Sequence, residues 1–181
     1  AWLFIYSQQH VTMTNLTQEE KISVEAQYEK LLNLCVRCKT QEDRELIRKA
    51  FDLAVDAHSN MRRKSGEPYV THPIAVAKIV AGEMELGVKS VICALLHDVV
   101  EDTDYTLNDI KEMFGRTVAN IIDGLTKISH VLDKDASLQA ENFRKMLLTL
   151  SEDVRVIFIK LADSLHNMRT LDSMPEYKQI K

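Results

Sequence analysis

The apolar positions of this chain recur mostly at steps of three and four, and the recurrence breaks at a few capping and turn residues. Thr17-Gln-Glu-Glu20 matches a capping box, in which a hydroxyl and a carboxylate three residues apart each satisfy an orphan backbone N–H. It opens a helix expected to run to about Cys38, with Ile22, Leu31, Leu32 and Leu34 as apolar candidates. Thr40 and Asp43 start a second helix, in which Leu46, Ile47, Ala50, Leu53, Ala54 and Ala57 keep the helical step. Residues 60–68 (NMRRKSGEP) read as a basic loop broken by Gly66 and Pro68. Pro73 suits the first turn of a third helix, where its missing N–H would be unpaired anyway, so His72 is expected near the N-cap. That helix carries Ile74, Val76, Ala77, Ile79 and Val80, with Gly87 as its expected stop.

From Val88 to about Val100 only Lys89, Ser90, His97 and Asp98 interrupt a run of apolar residues, which predicts a buried helix. Glu101, Asp102 and Asp104 crowd its end. Thr106 and Asp109 reopen a short helix that Gly115 closes, and another is expected over 117–128. A polar stretch at 129–136 precedes a helix expected over 137–150, and Ser151 is a candidate cap for a last helix over 152–171. Residues 154–159 (VRVIFI) would pass for a strand on β-propensity. The steps between Val154, Ile157, Phe158, Leu161, Leu165 and Met168 nevertheless stay helical well beyond strand length. The sum is one all-α domain of about eight or more helices over 17–181. Residues 1–16 read as a tail or an added remnant, with Met13 as a candidate native start.

Composition narrows the function classes. Only 5 Gly and 3 Pro occur among 181 residues, too few turn residues for a many-stranded sandwich or barrel. With 45% hydrophobic and 28% charged residues, a disordered chain is excluded. A net charge of −4 makes a poor general phosphate-backbone binder, so no DNA partner is expected and any nucleotide must meet a local basic cluster. The apolar AWLFIY at 1–6 lacks a basic flank and is too short for a signal peptide or a span, so no membrane role and a cytoplasmic location are expected. Cys35, Cys38 and Cys93 are too few for a disulfide framework, and their odd number points to a reducing compartment. Cys35-x-x-Cys38 has no second pair to complete a zinc site and does not follow a strand, so both read as ordinary helix cysteines.

The candidate chemistry centres on His97-Asp98 at the end of an apolar helix, where adjacent imidazole and carboxylate groups are costly unless paired or bound to a metal. His72 before a helix and Asp163 in the apolar last helix complete two imidazoles and two carboxylates, a borderline N/O set suited to Mn, Fe or Zn. A capping His72, a helix-end His97 and an Asp163 paired with Lys160 form the alternative. Glu101-Asp102 lie within about a turn, where the C-terminal helix dipole disfavours anions and where carboxylates can orient or deprotonate a water. The alternative there is a solvated helix end. Arg62-Arg63-Lys64-Ser65-Gly66 gathers three cations, a hydroxyl and backbone amides suited to phosphate, or else a solvated basic loop. Asp163, Asn167 and Thr170 follow steps of four and three along one helix face, with His166 beside them.

Five blocks, HSNMRRKSGEPYVTHP (58–73), ALLHDVVEDT (94–103), FGRTVANIIDGLTK (114–127), AENFRKML (140–147) and VIFIKLADSLHNMRTL (156–171), resemble the hydrolase domain of the RelA/SpoT homologue enzymes of the stringent response. The resemblance implies a helical HD-type fold and a Mn²⁺-dependent pyrophosphohydrolase that removes the 3′-diphosphate of ppGpp and pppGpp. By position it implies that His72, His97, Asp98 and Asp163 hold the Mn²⁺. It also implies that Glu101 and Asp102 handle the attacking water, and that Arg63, Lys64, Ser65, Asn167 and Thr170 contact the nucleotide. Long family members continue into synthetase and regulatory domains, which implies that residues 17–181 are one domain of a longer enzyme and that those domains are its partners. One departure is Ser164, where the family has Arg. It favours a second reading, a weakened nucleotide-binding regulatory module controlling a synthetase. A third, an HD phosphohydrolase for another nucleotide, runs against the Arg62–Ser65 loop.

Overall fold

The computed structural model describes residues 15–132 and 153–171, and every described element is helical or a turn. Helix α1 (Gln18–Leu34) begins at the expected box: Thr17 Oγ1 accepts from Glu20 N at 3.2 Å and Glu20 Oε2 from Thr17 N at 2.8 Å. Helix α2 (Gln41–Ala57) repeats the device with Thr40 and Asp43, at 3.0 Å in both directions. Helix α3 spans Thr71–Lys78 and runs into a π-helical turn, Ile79–Glu83. Helix α4 is Val88–Leu95, α5 the single turn Val99–Asp102, α6 Leu107–Phe114, α7 Arg116–Leu132 and α8 Arg155–Arg169. Gly115 closes α6 at φ +85°, a conformation that side chains other than glycine rarely adopt. The helix expected over 137–150 lies outside the described residues.

Helices α3 and α4 pack against each other at the centre; α1 and α8 lie on α3, and α2, α7 and α8 on α4. The cause is visible in α4, whose residues from Ser90 to Leu95 are all buried. Gly82 in the π-helical turn lets α1 approach, since a Cβ there would lie 3.1 Å from Leu34 Cδ2. No helix of the described residues is long and apolar enough to cross a membrane.

Four expectations change. Helix α1 ends at Leu34 and buries Val24, Tyr28, Leu31 and Leu32, leaving Ile22 62% and Leu34 42% exposed. Cys35 and Cys38 are therefore not helix residues: they flank the turn that follows, their Cα atoms 5.4 Å apart, and they form a disulfide, with Cys93 alone free and buried. The helix expected over 88–100 breaks at 96–98. There the His97 ring takes the Ala94 carbonyl, at 2.8 Å, that an unbroken helix would give to the Asp98 N–H. In α8 the helical step holds, but the buried row is Val156, Ile159, Ala162 and Asp163, while Val154, Phe158, Leu161 and Met168 face outward. Turning Asp163 toward α3 and α4 rotates the more apolar row to solvent.

The caps give a first prediction. Thr40→Ala removes the hydroxyl that accepts the Asp43 N–H, at a cost of about 1 kcal/mol. Urea unfolding should show it as a lower midpoint at unchanged slope.

Candidate metal centre

Three elements deliver the four candidate ligands. His72, expected near the N-cap, lies in the first turn of α3, two positions past the N-cap Val70; His97 and Asp98 occupy the break between α4 and α5; Asp163 comes from the buried row of α8. His72 Nε2 lies 3.2 Å from Asp163 Oδ1 and 3.8 Å from Asp98 Oδ2, and His97 Nε2 lies 3.0 Å from Asp98 Oδ2. His72, His97 and Asp163 each offer a ligand atom within 4.8 Å of the others, and all three residues are buried. Ligands about 2.1 Å from one cation stand roughly 3–3.5 Å apart at its tetrahedral or octahedral angles. The 3.0 and 3.2 Å separations fit a shared divalent ion, and the 3.8 Å one lies just outside that range.

Two observations test that fit. His97 Nδ1 faces the Ala94 carbonyl, which leaves Nε2 as the ligating nitrogen, yet the fully buried Nε2 makes no hydrogen bond. Its 3.0 Å approach to Asp98 lacks hydrogen-bond alignment, as befits two donors aimed at a common third point. Second, the pocket favours positive charge there: burial works against a charged His97, but Asp98 and Asp163 outweigh it and raise the imidazole to about 9. Both carboxylates are in turn held well below the usual range. Burial, the largest single influence, opposes this; His97 overcomes it at Asp98, and His72, His97 and Lys160 do so at Asp163.

An outer ring fixes the ligands. His72 Nδ1 faces His166 Nδ1 at 2.8 Å, so one ring donates to the other. Burial first, then His72 and Arg63, bring His166 down to about 4, leaving it neutral at physiological pH. Asp163 accepts from Asn167 Nδ2 at 2.7 Å and from Lys160 Nζ at 3.0 Å, and Lys160 also donates to Ser129 Oγ at 3.1 Å. The Lys160 pairing that would have explained Asp163 away thus coexists with the cluster. Tyr69, which no sequence signal singles out, donates its hydroxyl toward Asp98 Oδ2 (2.8 Å) and Asp102 Oδ2 (3.2 Å). Burial and those two carboxylates push its phenol up, so the proton stays on. Tyr69 stacks on buried His58, with ring centroids 4.8 Å apart.

The remaining candidates sit around this centre. Glu101 and Asp102 are exposed on α5, and Asp102 joins the cluster through Tyr69. The basic loop is a tight hairpin, closed by Arg63 N to Glu67 O (2.9 Å) and Tyr69 N to Met61 O (3.0 Å). Arg62 binds Glu20 and the Gly66 carbonyl, which ties the hairpin to α1. Arg63 lies 3.7 Å from Glu67 with its charge felt at His166, so it borders the cluster; Ser65 Oγ donates to Glu67 Oε1 at 3.3 Å, and Lys64 is exposed. Thr170 Oγ1 closes the end of α8 on the carbonyls of His166 and Asn167. Ser164 is exposed.

The HD domain family matches residues 50–181. Over 145 residues the chain is 48% identical to the bifunctional (p)ppGpp synthase/hydrolase SpoT of Escherichia coli (strain K12), covering 79% of this chain and 20% of that protein. Over 123 residues it is 52% identical to the guanosine-3′,5′-bis(diphosphate) 3′-pyrophosphohydrolase of Haemophilus influenzae, covering 67% and 18%. A solved structure, described as a metazoan ortholog of SpoT that hydrolyzes ppGpp and plays a role in starvation responses, superposes with a TM-score of 0.58 at 31% identity over 70% of each chain. The chain spans about a fifth of the length of the curated relatives it matches.

Proposed function

Because the chain belongs to the HD domain family, among the RelA/SpoT homologues, we propose that it is a Mn²⁺-dependent pyrophosphohydrolase that cleaves the 3′-diphosphate of ppGpp and pppGpp to give GDP or GTP and pyrophosphate. The observation that carries this reading is the buried cluster of His72, His97 and Asp163, with Asp98 Oδ2 3.0 Å from a His97 Nε2 that makes no hydrogen bond. Those four residues would hold the ion. A divalent cation there supplies Lewis-acid polarisation of the phosphate and lowers the pKa of water.

The chain's own groups do the rest. Asp102, oriented by Tyr69, and Glu101 beside it place the attacking water and accept its proton. Arg63, Lys64 and Ser65 hold the nucleotide from the hairpin, while Asn167 and Thr170 hold it from the end of α8. Lys160 on Asp163 keeps a cation beside the ligands where Ser164 supplies none. In this reading residues 17–181 are the hydrolase part of the protein, and the synthetase and regulatory parts of such enzymes are its partners.

Release of GDP and pyrophosphate from ppGpp, measured with Mn²⁺, with Mg²⁺ and with EDTA, tests the reading. Mn²⁺-dependent release that EDTA abolishes is expected. Binding of ppGpp without turnover would favour the regulatory module that Ser164 suggests, and Ser164→Arg would then be the variant to assay. Neither binding nor turnover would remove the substrate assignment.

A further inference from the structure

Tyr69 belongs neither to the ligand set nor to the nucleotide loop, yet it touches both. Its backbone N–H closes the basic hairpin on Met61, while its hydroxyl reaches Asp98 Oδ2 at 2.8 Å and Asp102 Oδ2 at 3.2 Å. The ring is held in place from two sides. It stacks on His58, which is buried and anchored through Nδ1 on the Ala54 carbonyl at 2.9 Å, and it meets His72 edge-on at 6.1 Å. The hydroxyl position is therefore set by packing rather than by its two acceptors.

A phenol carries one proton, so it cannot donate fully to two carboxylates at once. The shorter distance assigns it chiefly to Asp98. Asp102 is otherwise solvent-exposed on a one-turn helix, and among the described residues Tyr69 makes the one hydrogen bond to its carboxylate. We infer that Tyr69 is a positioning residue that divides its single hydroxyl proton between Asp98 and Asp102, so that positive charge answering Asp98 releases the hydrogen bond to orient Asp102. Ligand occupancy and the placement of the water-handling carboxylate are thereby coupled through one hydroxyl. The inference rests on the hydrolase reading for the role of Asp102, but not for the role of Asp98.

Tyr69→Phe removes the hydroxyl alone and leaves the ring on His58, so with chelator present the variant should melt with the wild type. Two readouts then apply to the purified chain: calorimetric titration with Mn²⁺, and ppGpp hydrolysis at saturating Mn²⁺. The expected result is a Mn²⁺ Kd raised, and a kcat lowered, each by about 10–100-fold, as for other outer-ring partners, with KM for ppGpp little changed. On an Asp102→Asn background the same substitution should no longer lower kcat but should still weaken Mn²⁺ binding. Wild-type Kd and kcat in Tyr69→Phe would overturn the inference, as would a kcat loss of equal size with and without Asp102. If the wild-type chain binds Mn²⁺ but releases no pyrophosphate, the hydrolase reading fails by itself. The Mn²⁺ titration of Tyr69→Phe then still decides the link to Asp98.

Discussion

Asp98→Ala should leave a folded chain that no longer responds to divalent cations. In the wild type, Mn²⁺ at a hundred times its Kd should stabilise the fold by about 2.7 kcal/mol, about 5–10 °C in Tm for a chain of this size. Asp98 Oδ2 lies 3.0 and 3.8 Å from the two ligating imidazole nitrogens, and its carboxylate is the main group holding His97 positive against burial. Losing a ligand should cost more than the roughly hundredfold upper range for outer-ring partners. At the same Mn²⁺ concentration the stabilisation then falls to about 0.4 kcal/mol or less, and ppGpp hydrolysis is lost with it. Because buried His97 loses its main counter-charge, the variant should melt somewhat below the wild type in EDTA while remaining folded. A Mn²⁺-dependent Tm rise retained in Asp98→Ala would remove Asp98 from the ligand set.

Phe51→Ala should produce the largest loss of stability, about 3–5 kcal/mol against the 5–15 kcal/mol typical of a whole domain. Phe51 is fully buried on α2, its ring 4.5 Å from that of Tyr28 on α1, and the Arg48 guanidinium caps both at 5.0 and 4.9 Å. That guanidinium is itself held by Glu25 at 2.8 Å and Asp52 at 2.8 Å, so the ring is the floor of a fixed network and its cavity cannot collapse cheaply. Burial also pushes the Tyr28 phenol up to about 12. The expected result is a urea midpoint lowered by about a fifth or more. The ligands lie on α3, α8 and the break after α4, so Mn²⁺ affinity of the folded fraction should be kept. A midpoint within a tenth of the wild type would show that the α1–α2 contact is not part of the cooperative core.

Local chemistry settled much of this protein in advance. The three hydroxyl–carboxylate caps at Thr17, Thr40 and Thr106 and the left-handed Gly115 each act within four residues, so the starts of α1, α2 and α6 and the end of α6 could be read directly. His72, His97, Asp98 and Asp163 were legible because polar groups at the edge or in the midst of apolar helices need partners. What the pattern could not decide depends on contacts between distant segments. The break at His97 exists because a side chain, rather than the next backbone N–H, takes the Ala94 carbonyl. The inward row of α8 is set by Asp163 meeting His72 from α3, which outweighs the more apolar row on its other side. Tyr69 carries no signal in the sequence, and His166 shows there only as a neighbour of the Asp163 face, since their value lies in reaching Asp98, Asp102 and His72 across the core. Periodicity and caps report what a residue does within one helical turn. The convergence of four ligands and the ring that orients them arises only where separate helices pack, because local partners such as Lys160 meet part of the cost of burying those charges and contacts across helices, such as His72 with Asp163, meet the rest.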